Sequence, residues 1–121
     1  MFSILLADDE PLILKIILIQ LNKVGFDCDA AKNGEEAMQK IKEKKYDLIL
    51  LDIAMPKKNG NQVLCETRDL GIDTPIFMLT GDIEESSKKL CIEAGANEYI
   101  NKPFEIEYLV SKINELAQKN S

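Results

Sequence analysis

The sequence contains no histidine, so imidazole is missing from any metal site or proton relay the chain builds for itself. Cysteine is scarce: Cys28, Cys65 and Cys91 are odd in number, far apart and set among aliphatic residues. That spacing offers neither a disulfide framework nor a metal knuckle, and it reads as reduced, cytosolic thiols. Positive charge is also short, with 15 Lys and Arg against 21 Asp and Glu, for a formal net charge of −6. A surface of that sign does not displace counterions from nucleic acid, so any electrostatic partner is basic or a cation. Long hydrophobic runs are absent as well. The start "MFSILLADDE" turns acidic too early for a secretion signal, and "PLILKIILIQL" is too short, and too interrupted by Lys15 and Gln20, to span a bilayer. No G-x-G-x-x-G or Walker pattern occurs, which leaves nucleotide binding without a motif. The expectation is a soluble cytoplasmic protein, with no direct nucleic-acid or membrane contact.

What is present is enough apolar material, 45% of residues, to build one core, and the length suits one domain over residues 1–121. Short apolar runs alternate with segments of helical period, the pattern of a parallel sheet covered on both faces. Strands are predicted at Ser3–Ala7, Asp27–Ala30, Leu48–Leu51, within "TPIFMLT" and at Glu98–Ile100. Helices are predicted from Pro11 to Val24, over "NGEEAMQKIKEKK", from Gln62 to Leu70, from Glu84 to Ala94 and from Phe104 to Gln118. Five such βα units with right-handed crossovers make a three-layer, doubly wound α/β fold of the flavodoxin-like kind, strand order 2-1-3-4-5.

In such folds ligands bind beyond the carboxyl ends of the strands, so the residues leaving each strand form one list. Asp8 and Asp9 follow the first strand, Asp52 the third, Thr80 the fourth, and Lys102 with Pro103 the fifth. Singly, each has a bland reading: an acid before Pro11 caps a helix, Thr80 is a β-branched strand residue, Lys102 is a solvated loop lysine. Asp52, in "LILLDIAMPKKNG", divides between a cap and a functional acid. Together, three carboxylates in one crevice repel unless a cation is bound, and hard oxygen ligands favour Mg²⁺. Lys102 and Thr80 then suit the oxygens of a transferring phosphoryl group, and a carboxylate can itself be the nucleophile.

Asp8-Asp9, Asp52, Thr80 and Lys102-Pro103 in that order, with "DIAMP…G" and "GANEYINKPF", resemble the receiver domain of two-component response regulators over essentially the whole chain. The resemblance implies a phosphoacceptor at Asp52 and an Mg²⁺ site formed by Asp8, Asp9, Asp52 and the backbone carbonyl of Ala54. It implies a phosphohistidine donor on a sensor histidine kinase or phosphotransfer protein. Thr80 and Lys102 would bind the phosphoryl group, and Tyr99 would follow Thr80 from an exposed to a buried rotamer. The surface of helix four, strand five and helix five would then signal to a downstream effector or a fused output domain. Ala54 and Asp82 would line the route to the phosphoryl group. By the family's pattern the chain catalyses only its own phosphorylation and dephosphorylation, and is otherwise no enzyme.

The first helix carries more apolar residues than one face needs. If Ile13, Ile16, Ile17, Leu21 and Val24 face the core, Leu14 and Leu18 turn outward, a pair suited to docking a partner helix. Pro56, in the loop after Asp52, and Pro103 are expected beside them on the partner-facing side. Three other classes compete. A haloacid-dehalogenase-type phosphatase needs a second acid where Ala54 stands, and in a flavodoxin-like carrier "ADDE" would repel the phosphate its first loop must hold. A pseudo-receiver that keeps the fold without phosphorylation stays open. Little chain follows the last helix, so the expectation is a stand-alone regulator, a phosphorelay intermediate or a receiver cut from a longer protein.

Overall fold

The computed structural model describes residues 2–81 and 85–119. Ten elements alternate along it: β1 (Ser3–Ala7), α1 (Pro11–Val24), β2 (Asp27–Ala31), α2 (Gly34–Glu43), β3 (Leu48–Asp52), α3 (Gly60–Asp69), β4 (Ile76–Thr80), α4 (Glu85–Glu93), β5 (Glu98–Asn101) and α5 (Ile106–Lys119). All strand pairs are parallel, in the order β2-β1-β3-β4-β5, which is the doubly wound flavodoxin-like topology.

The sheet is central because its inner strands are apolar on both faces. Every residue of β3 and of β4 is buried. Side chains alternate across the sheet. Leu5, Ile49, Leu51 and Met78 therefore enter one core layer with Met38, Val63 and Leu64 of α2 and α3, while Ile4, Leu6, Leu50 and Leu79 enter the other with Ile17, Leu21, Leu109 and Ile113 of α1 and α5. None of the three cysteines forms a disulfide. Among the described residues no helix is long and apolar enough to cross a membrane.

Two helix starts move by two residues from their sequence-based positions. Helix α3 begins two residues before Gln62, because Asn59 caps it: the Asn59 side chain accepts the Gln62 amide at 2.9 Å and the Gln62 side chain accepts the Asn59 amide at 2.9 Å. Helix α5 begins at Ile106 rather than Phe104, since Lys102, Pro103 and Phe104 turn the chain out of β5. Glu84 and Asp82 lie outside the described residues.

The face that α1 presents is corrected. Leu14 and Leu18 do not point away from the protein; both are half-buried and pack against the α1/α5 core layer, with Ile17 and Leu21 fully inside. The exposed large apolar residues of α1 are Leu12, Ile16, Ile19 and Val24, two of which were expected in the core. The sequence "PLILKIILIQLNKV" is apolar around most of its circumference, so helical period alone does not choose a face. The choice falls to the fit against β1, β2 and α5.

Candidate functional site

The carboxyl edge of the sheet gathers residues from four strand ends. Asp8 follows β1 and is fully buried, Asp9 beside it is exposed, and Asp52 closes β3 at 6% exposure. Each of the three offers a carboxylate oxygen, and these atoms lie within 4.8 Å of one another. Lys102, leaving β5, reaches back across the edge: its Nζ donates to Asp8 Oδ2 at 3.0 Å and stands 3.6 Å from Asp52 Oδ1. The Lys102–Pro103 peptide is cis.

Asp8 also does the local work that an acid before Pro11 was expected to do. Its Oδ1 accepts the Glu10 amide at 3.0 Å, whereas the N-cap of α1, Glu10, makes no side-chain capping bond and Pro11 supplies the first turn. Asp9 is therefore left facing the crevice mouth rather than committed to the helix.

The electrostatics follow from burial and charge. Burial is the largest influence on Asp52 and raises its pKa; Lys102 pulls it down, Asp8 pushes it up, the Ala54 amide lowers it and Asp9 raises it, for a net value of about 6. For Lys102, burial works against the charge, but the hydrogen bond to Asp8 and the fields of Asp52 and Asp8 outweigh it, so its pKa is raised. The Lys102 ammonium thus meets two of the three acids, Asp8 and Asp52.

This donor set fits a hard divalent cation. It is all oxygen, includes no imidazole or thiolate, and carries more negative charge than Lys102 neutralises. Ala54 is exposed in the loop that follows, where the Met55 and Gly60 amides both bond the Ile53 carbonyl, at 3.1 and 2.9 Å. Among the described residues no backbone amide bonds the Ala54 carbonyl, so that oxygen is available as a further ligand.

Thr80 ends β4 and is buried; its carbonyl accepts the Lys102 amide, and Asp52 pairs in register with Leu79, the residue before it. Tyr99 sits in β5 opposite Met78 and is buried in the α2/α3/α4 core layer, which corresponds to the inward one of the two positions expected for it. Pro56 and Pro103 are exposed. Pro103 also lines an apolar groove beside the acids, with Ile13, Ile16 and Ile17 of α1, Phe104 of the turn after β5, and Ile106 of α5.

A family model described as the response regulator receiver domain matches residues 4–114. The chain belongs to that family. Among curated relatives, the transcriptional regulatory protein ResD of Bacillus subtilis is 39% identical over 119 residues, covering 98% of this chain and 49% of ResD. The alkaline phosphatase synthesis regulator PhoP of the same organism is 36% identical over 118 residues, covering 98% and 49%. The chain spans about half the length of these relatives. Among solved structures, the receiver domain of the Francisella response regulator 1452 superposes with a TM-score of 0.96 at 30% identity, covering 100% of both chains. The response regulator TrrA of Thermotoga maritima, solved in complex with Mg(2+)-BeF, gives a TM-score of 0.86 at 39% identity, covering 96% of this chain and 99% of that one.

The receiver domain also contains a structurally important residue that carries no signal in the chain. Arg68 of α3 donates from Nε and Nη2 to the Gly95 carbonyl at 3.1 and 2.8 Å, from Nη1 to the Ile72 and Thr74 carbonyls at 2.9 Å each, and from Nη2 to Asn97 Oδ1 at 3.2 Å. It ties the end of α3 to the end of α4, at the opposite edge of the sheet from the acids. An arginine near a helix C-terminus signals only a favourable dipole contact, and its distant acceptors are invisible in the chain.

Proposed function

We propose that this receiver domain accepts a phosphoryl group on Asp52 from a phosphohistidine of a sensor kinase or histidine phosphotransfer protein, with Mg²⁺ held by Asp8, Asp9, Asp52 and the Ala54 carbonyl. The observation that carries the reading is the placement of Asp52. It stands nearly buried at the end of the central strand, with two carboxylates within 4.8 Å and an ammonium 3.6 Å away. The Mg(2+)-BeF complex of TrrA supports the same reading.

The chemistry asks little covalent work of the protein. A carboxylate oxygen of Asp52 attacks phosphorus, the P–N bond breaks, and its electron pair leaves with the donor's imidazole nitrogen. With a pKa of about 6, Asp52 is mostly ionised at neutral pH, as a nucleophile must be. Bound Mg²⁺ supplies positive charge that offsets the carboxylates and the phosphoryl oxygens. Lys102 holds a second positive charge beside the acceptor, and Thr80 offers a hydroxyl at the next strand end. The apolar groove at Pro103, with exposed Ile16 on its α1 wall, is the surface offered to the donor, in place of Leu14 and Leu18.

The added charge and three acceptor oxygens bias Thr80, Tyr99 and the surface of α4, β5 and α5, which a downstream effector or output domain reads. Beryllofluoride with Mg²⁺ is expected to shift the amides of Asp52, Thr80 and Tyr99, and Asp52→Asn to abolish acid-labile labelling from a phosphohistidine donor. An unchanged spectrum at millimolar reagent, with no labelling of the native protein, would make the domain a pseudo-receiver.

A further inference from the structure

The loop that carries Ala54 rests on a glycine of a different βα unit. A methyl group built on Gly34, the first residue of α2, would lie 2.0 Å from the Lys58 carbonyl oxygen, 2.6 Å from its carbon and 2.5 Å from Lys58 Cβ. Two of these atoms are backbone, which no side-chain rotation can move aside. One of the two segments would have to shift by on the order of 1 Å to restore ordinary contact. Gly34 is buried and has no left-handed φ, so space rather than backbone conformation is what requires glycine there.

The same loop is fixed at its other end. A methyl on Gly60 would lie 2.5 Å from the Asp52 carbonyl and 2.9 Å from Ile53 Cα, and the Gly60 amide bonds the Ile53 carbonyl. Between these ends the chain turns tightly. Lys57 has a φ of 69°, the Lys58 amide bonds the Pro56 carbonyl at 2.8 Å, and the Lys58 ammonium is held by both Glu66 carboxylate oxygens at 2.6 and 2.8 Å. A lysine in the left-handed region persists only where its neighbours over-determine it. With the neck of the loop fixed where Gly60 meets Asp52 and Ile53, a push on Lys58 is absorbed by Asn59 on one limb and by residues 54–57 on the other, Ala54 among them.

We propose that Gly34 is a positioning residue for the phosphoacceptor loop: its bare Cα is the stop against which Lys58 rests, and so it sets where the Ala54 carbonyl is presented beside Asp52. The inference rests on the Mg²⁺-dependent phosphoacceptor reading above. By helix propensity alone, alanine at Gly34 favours α2, so a purely local role predicts an unchanged or raised melting temperature and an unmoved loop.

The test is Gly34→Ala, measured against the native protein in three ways. Without metal, the amide resonances of residues 53–60 shift. With Mg²⁺ titrated by calorimetry, the dissociation constant rises about ten-fold or more, as when outer support is removed from a metal ligand. Lys58→Ala, which breaks the Glu66 contact but keeps the backbone one, leaves that constant within about two-fold of native. If Gly34→Ala does not fold, adding Lys57→Gly frees the turn to yield, and the loop resonances are compared with Lys57→Gly alone. Loop resonances and Mg²⁺ affinity that match the reference protein overturn the inference. Failure of the native protein to bind Mg²⁺ or to label overturns the phosphoacceptor reading instead, while the metal-free shifts still decide the role of Gly34.

Discussion

Lys102 donates to Asp8 across 94 positions of chain, joining the end of the last strand to the end of the first at 3.0 Å. The carboxylate it meets is fully buried, while the lysine keeps 22% of its side chain exposed. This pair, rather than any helix contact, closes the acidic crevice.

Removing that ammonium leaves Asp8 buried and charged among two other acids. Lys102→Met is expected to lower stability without metal by about 2 kcal/mol, less than for a fully buried pair because Lys102 is partly solvated. Saturating Mg²⁺ should narrow the gap, since a cation among the carboxylates replaces the lost charge. Thermal unfolding with and without Mg²⁺ checks both statements.

The raised pKa of Asp52 fixes a sign. The folded protein holds this proton up to about pH 6, against 3.8 as the ordinary value, so between those limits the folded state binds more protons than the unfolded one. Its contribution to stability is present below pH 4 and is lost as pH rises through 6. Asp52→Asn should therefore melt higher than the native protein at pH 7 without Mg²⁺, by a few degrees at about 3–6 °C per kcal/mol for a domain of this size. The difference should shrink on acidification toward pH 4, and denaturation followed across that range measures it.

Arg68→Met removes a guanidinium whose donors meet three backbone carbonyls and Asn97. Gly95 and its neighbours lose charged donors that helped satisfy them, so a loss on the order of 3 kcal/mol is expected. Amide exchange should rise first at the α3 and α4 C-termini, far from the acids, and Mg²⁺ affinity should stay near native.

The corrected face of α1 separates by truncation. Leu14→Ala and Leu18→Ala, which remove atoms packed on the core, should each cost about 1–2 kcal/mol. Ile16→Ser, at an exposed position, should fall within about 0.5 kcal/mol of native. Denaturant midpoints at constant slope would check the contrast; equal losses at Leu14 and Ile16 would mean that the helix is turned differently.

The sequence by itself determined the layered fold and the place of the chemistry. Apolar runs of strand length, separated by helical period, are local signals, and a parallel sheet carries the acids of β1 and β3, Thr80 and Lys102 to one edge whatever the details of packing. What it did not determine depends on how distant elements dock. Asp8 and Asp9 are adjacent and chemically alike, yet only the approach of Lys102 from β5 makes one a buried ion-pair partner and leaves the other exposed. Helix α1 is apolar on nearly every side, so the sheet and α5, not the period, decided that Leu14 and Leu18 turn inward. The Gly34–Lys58 contact and the Arg68 clasp join residues from different βα units. Such contacts leave no periodic trace in the chain, because they are set by the close packing of elements whose positions only the completed tertiary structure fixes.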